Sequence, residues 1–111
     1  MQAMKLSNPG GLDKLAPAPL STVAGGPGQI QAAGKASSLN FHDYAVVSGL
    51  IPTPDGRIPM SDGAGIVTAV GDGVTEFAEG DKVLSCFFPN WLDGGAALDK
   101  LVGVPGDHVD G

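Results

Sequence analysis

Glycine and proline set the limits of this chain: with 18 and 9 of them among 111 residues, it stands close to the level at which unpatterned Gly and Pro mark unfolded polypeptide. Their placement decides between disorder and turns. Between apolar runs they mark the turns of a strand-rich domain; clustered without apolar partners they mark open chain. Both patterns occur. Asn8-Pro9-Gly10-Gly11 closes a weakly alternating run from Met1 to Leu6, which reads as an edge strand opening a hairpin. Residues 12–28 carry Pro17, Pro19, Gly25, Gly26, Pro27 and Gly28 around the apolar run at Leu20 to Ala24, and are predicted to be loop with one brief strand at most.

Gln29 to Ala36 alternates poorly, because Gly34 interrupts the parity of Ile30 and Ala32. Leu39 to Ser48 fits a short helix capped by Ser38 or Asn40 and ended by Gly49. Pro52, Pro54, Asp55, Gly56 and Pro59 then impose a rigid extended loop. Gly63 to Val70 holds the clearest strand, rich in β-branched residues and followed by the turn Gly71-Asp72-Gly73. A second strand is predicted over Lys82 to Phe88, between Gly80-Asp81 and Pro89, so that the two frame a hairpin-like unit. Ala96 to Leu101 is compatible with a short helix.

A chain of this length holds one small core. Aromatics are only 5% of the residues, so that core must rest on Val, Ile, Leu and Ala. The formal charge of -6, with no basic cluster, argues against nucleic-acid binding. No apolar run of membrane-spanning length and no secretory start are present, and a cytoplasmic protein is expected. The single cysteine, Cys86, has no partner for a disulfide and is expected to be a buried small hydrophobe.

A dinucleotide-binding unit needs a strand, G-x-G-x-x-G opening a helix, and an acidic residue some way on. Gly63-Ala64-Gly65 enters a strand and Gly71-Asp72-Gly73 turns out of one, so neither fits. Catalytic zinc needs three converging protein ligands. His42 beside Asp43 is a candidate general acid or ligand, and equally an ordinary solvated pair. Asp81-Lys82 reads as turn chemistry, and Trp91 as either a ligand wall or a loop anchor.

Four blocks in order, Ser38-Leu39-Asn40-Phe41-His42-Asp43-Tyr44, Pro59 to Gly65, Ala69 to Phe77 and Gly80-Asp81-Lys82-Val83, resemble the medium-chain dehydrogenase/reductase superfamily. The resemblance runs over residues 1–111 and is densest from Ser38 to Pro89. It implies a mainly β, GroES-like, partly open barrel with short helices, the N-terminal substrate-side domain of an oxidoreductase. On this reading the Rossmann domain that binds the cofactor lies outside the chain, and the isolated piece is expected to be inactive. Zinc alcohol dehydrogenases place Cys, His and Glu where Asn40, Ser61 and Asp62 stand here. An amide and a hydroxyl are poor donors for Zn²⁺, so a zinc-free site is expected.

The pattern Leu39-Asn40-Phe41 followed by Asp43 resembles the quinone oxidoreductase branch. That resemblance implies Asn40 as a catalytic amide near both the nicotinamide and the substrate, Asp43 as the residue orienting the cleft loop, and Tyr44 as a pocket hydroxyl; Trp91, read from its own place in the chain, is the further candidate substrate contact. It also implies NADPH or NADH as cofactor, a small quinone, enone or aldehyde as substrate, and a homo-oligomeric full-length enzyme. Two alternatives stay open: an alcohol dehydrogenase that retains a metal through His42, Asp62 and Cys86, and a GroES-like binding module or inactive fragment.

Overall fold

The computed structural model describes residues 1–111. Five strands, β1 (Gln2–Leu6), β2 (Leu15–Pro19), β3 (Ile30–Ala36), β4 (Ala64–Val70) and β5 (Lys82–Leu84), surround one helix, α1 (Phe41–Val47). Single 3-10 turns lie at Leu12–Lys14 and Leu98–Lys100. β1 and β2 form one antiparallel sheet, and β3-β4-β5 form another in that order. The mainly β architecture is therefore as expected, with no ladder joining the two sheets into a closed barrel. No helix is long and apolar enough to cross a membrane.

β2 corrects the reading of residues 12–28 only in place: the one brief strand allowed there runs over Leu15–Pro19, ahead of the apolar run at Leu20 to Ala24. Its prolines are tolerated by parity: Pro17 faces Met4 and Pro19 faces Gln2, while Met1 and Leu20 exchange the ladder bonds, at 3.0 and 2.9 Å. Prolines on one parity of an edge strand point their missing N–H away from the partner, so the ladder loses nothing. β3 is a second correction, a seven-residue strand where alternation is poor. Its pairing with β4 supplies the order that local pattern lacks, with register shifts between Gln31 and Ala32 and between Gly34 and Ala36.

β5 ends at Leu84, short of the predicted Phe88. The Ser85 backbone N–H donates to the Gly63 carbonyl (2.9 Å) and its Oγ accepts the Gly63 N–H (2.9 Å), which closes the ladder there. Cys86 consequently leaves the sheet and is exposed, contrary to the expectation of burial. Helix α1 stops as predicted: Gly49 adopts φ 83°, and a Cβ there would sit 2.6 Å from the Pro9 carbonyl oxygen, so only glycine fits. The apolar core lies between α1 and the β1-β2 hairpin, where Leu6, Val46 and Val47 pack together with Leu15 and Ile51.

Candidate functional site

The site grows from the first turn of α1. Asn40, with extended backbone, is the N-cap, and its N–H donates to Asp43 Oδ2 at 2.8 Å, one half of a capping box. The other oxygen of Asp43 accepts the Ser61 N–H at 2.8 Å. Asp43 is only 3% exposed, so these two bonds satisfy a carboxylate that has left water. One side chain thus caps the helix and fastens the loop that enters β4.

Asn40 turns its amide toward the same loop. Its Nδ2 donates to Ser61 Oγ (3.1 Å) and to Asp62 Oδ2 (2.9 Å). Ser61 is fully buried. Asp62 also accepts from the Ser38 N–H (3.0 Å) and the Ser38 hydroxyl (2.9 Å), while the Ser37 hydroxyl donates to its backbone carbonyl at 2.7 Å. The Ser38 N–H, then the Asn40 amide and the Ser38 hydroxyl, hold the Asp62 carboxyl below its ordinary range, against a small opposing effect of burial.

Asn40, Asp43 and Tyr44 come together on one groove of about 470 Å³, whose other walls include Leu12, Leu39, Val47 and Met60. The groove is mainly apolar and of a size that suits a small organic ligand. Tyr44 is half exposed, with its ring 6.1 Å from that of Phe41. Trp91 is elsewhere and lines no part of this groove. Its Nε1 donates to the Gly94 carbonyl at 3.0 Å and its ring lies 6.2 Å from Phe88, so it anchors its own loop.

The partner of His42 is not the neighbouring Asp43, whose Oδ1 lies 3.8 Å from Nδ1, but Asp107, whose Oδ2 is 2.7 Å from Nε2. Nothing in sequence spacing signals a contact across 65 positions. The three residues that stand where zinc enzymes carry ligands, Asn40, Ser61 and Asp62, do converge, yet as an amide donor, a hydroxyl and one carboxylate already bonded to one another. That donor set does not fit zinc. His42, Asp62 and Cys86 form no alternative, since they are not brought together as a group that could hold a metal ion. Nor does the chain offer a phosphate cradle: Gly63-Ala64-Gly65 leads into β4 with no helix after it.

Residues 26–108 match the family described as the alcohol dehydrogenase GroES-like domain. The chain is 47% identical over 78 residues to a mycocerosic acid synthase-like polyketide synthase of Mycolicibacterium smegmatis, covering 68% of this chain and 4% of that protein. It superposes on Escherichia coli quinone oxidoreductase complexed with NADPH with a TM-score of 0.69 at 30% identity, over 76% of this chain and 26% of that one. For a cobalt- and zinc-bound thermostable alcohol dehydrogenase of Pyrobaculum aerophilum the TM-score is 0.79 at 30% identity, over 100% and 36%. The chain therefore spans well under half the length of the proteins it matches. It belongs to the alcohol dehydrogenase GroES-like domain family, within the medium-chain dehydrogenase/reductases.

Proposed function

We propose that this chain is the substrate-side domain of an oxidoreductase that moves hydride between NADPH or NADH and a quinone, enone, aldehyde or alcohol without a metal. The observation that carries this reading is the bonded set Asn40, Ser61 and Asp62, of which Asn40 lines an apolar groove. Where a Lewis acid would polarise a carbonyl, the chain offers only hydrogen-bonding groups, so the acceptor must be activated by placement and by donors aimed at its oxygen.

The nicotinamide supplies or takes the hydride, and since this chain has no phosphate cradle it is held mainly by a further domain of the longer enzyme. Within the chain, the apolar walls exclude water from the acceptor and orient it. Tyr44, half exposed at the groove, is the hydroxyl nearest to hand for the acceptor oxygen. Asn40 has both amide hydrogens engaged, and serves a ligand only by exchanging one of those bonds. Asp43 keeps Asn40 and Ser61 in register.

The test is an assay of a form extended through a cofactor domain, with NADPH and NADH and a panel of quinones, aldehydes and enones. The panel includes an acyl enone because a polyketide synthase is among the relatives. Nicotinamide oxidation above background is expected; background rates with every acceptor overturn the enzymatic reading. One zinc bound per chain, by metal analysis, overturns its metal-free part.

A further inference from the structure

The segment Val104–Gly111 returns across the molecule and touches the site by a route that avoids the groove. Val104 is 4% exposed. Gly106 is buried against the loop that precedes β4, so closely that a Cβ would lie 2.8 Å from the Met60 nitrogen. Asp110 Oδ1 accepts from Arg57 Nη1 at 2.9 Å and from the Ile58 N–H at 3.1 Å. The Gly111 N–H donates to the Ile58 carbonyl at 2.9 Å. One side of the segment is therefore bonded to residues 57–60.

Its other side holds α1. Asp107 bonds His42 Nε2 at 2.7 Å, with both side chains mostly buried. Successive helical residues project about 100° apart, so His42 and Asp43 grip the helix from two directions. The core packing of Val46 and Val47 holds the last turn of this seven-residue helix, and the bonds of His42 and Asp43 hold its first turn from two sides. Two costs are accepted to keep this arrangement. His42 Nδ1 is buried without a hydrogen-bond partner, so the ring is aimed by Asp107 rather than by satisfaction of both nitrogens. Met60, at φ 95°, holds a conformation that persists only where neighbours over-determine it. The other groups facing this cluster are His108, whose Nδ1 is 2.8 Å from Asp107 Oδ1, and the Phe87 ring, edge-on to His42 at 5.1 Å.

We propose that Asp107, acting through His42, is a positioning residue: the Val104–Gly111 segment clamps the first turn of α1 to Met60–Ser61 and so keeps Asp43 on the Ser61 amide and Asn40 on Asp62. Its meaning for catalysis rests on the function proposed above, whereas the clamp itself is read without any assay of turnover. The experiment is site-resolved amide hydrogen exchange on the ¹⁵N-labelled chain. In Asp107→Ala and in His42→Leu, exchange at the Ser61 and Asn40 amides rises about 10- to 100-fold, the loss of one buried hydrogen bond, while the β3-β4 ladder keeps its protection. His42→Gln, which retains a side-chain N–H for Asp107, restores most of that protection.

Uniform acceleration at all amides, or unchanged exchange at Ser61, overturns the proposal, and so does failure of His42→Gln to rescue. If Asp107→Ala does not fold, the exchanged pair His42→Asp with Asp107→His decides. A folded protein with protected Ser61 upholds the clamp, and an unfolded or unprotected one overturns it. Background rates in the quinone assay leave all of these outcomes unaffected.

Discussion

Helix α1 and the β3-β4-β5 sheet are built on opposite terms. Around α1, Asp43, Ala45, Val46, Val47 and Ser61 are buried; Asp43 accepts the Ser61 N–H and the Ser61 hydroxyl accepts from Asn40, whereas His42 Nδ1 is left without a partner. In the sheet, Val67 alone is buried, and Leu84 is 77% exposed. A concavity of about 640 Å³ lies over the sheet, with Ile30, Val83 and Leu84 among its walls. The helix side is thus closed by hydrogen bonds and small apolar packing, while the sheet contributes mainly backbone ladder. Polar satisfaction, rather than area of apolar burial, keeps the site in one conformation.

The sharpest way to break this contrast is to remove its central carboxylate. Asp43→Ala strands the Ser61 and Asn40 amides at once and is expected to cost about 3 kcal/mol, from two lost bonds to a buried acceptor. Urea denaturation followed by circular dichroism measures it. A loss below about 1 kcal/mol, the size of a single ordinary hydrogen bond, would mean that the site is held by packing after all. Val46→Ala tests that packing directly. Val46 is 1% exposed in the cluster with Leu6 and Val47, and its truncation is expected to cost about 2 kcal/mol, transfer and cavity terms together. The ordering of these two variants, with the carboxylate first, is the comparison in numerical form.

The same contrast governs how much could be read in advance. α1 was legible because its signals are local: a capping Asn40, a carboxylate three residues on, and Gly49 to stop it. β4 was legible because its β-branched residues are themselves the pattern. β2 and β3 were not, since prolines and small residues look like loop until a partner strand supplies the ladder. Cys86 was misread as buried because the chain leaves the sheet at Ser85, a choice made by two bonds to Gly63. At the site, the convergence of Asn40, Ser61 and Asp62 followed from family resemblance, but their bonding to one another did not. The pairing of His42 with Asp107 had no local trace at all, because the 65 positions between them carry no periodic signal.

Asp62 offers a finer probe of the polar side. Its carboxyl is held below the ordinary range, first by the Ser38 N–H and then by the Asn40 amide. A carboxylate with a depressed folded-state value lends its stability in full above about pH 4, near its unfolded value, and loses it as pH falls through the lowered one. Asp62→Asn is therefore expected to be less stable than the parent at neutral pH and to converge with it in acid, in thermal melts across that range. Added salt narrows the gap, because this carboxylate lies near water. Parallel curves at every pH would remove Asp62 from the network.

The smallest effect is expected on the other side of the comparison. Leu84 ends β5 with its side chain 77% exposed, and its pairing with Ala64 is a backbone matter. Leu84→Thr keeps the strand propensity and removes an apolar side chain that meets mostly water, so the change should stay within about 0.5 kcal/mol by urea denaturation. The substitution sits on the wall of the sheet concavity, which gives the measurement a second reading. If this chain buries that face by associating with itself, Leu84→Thr weakens the association, and sedimentation at several protein concentrations detects it even where stability is unchanged. A destabilisation above about 1 kcal/mol at a concentration where the chain is monomeric would show that the sheet carries packing energy comparable to that around α1, and the contrast between the two regions would fail.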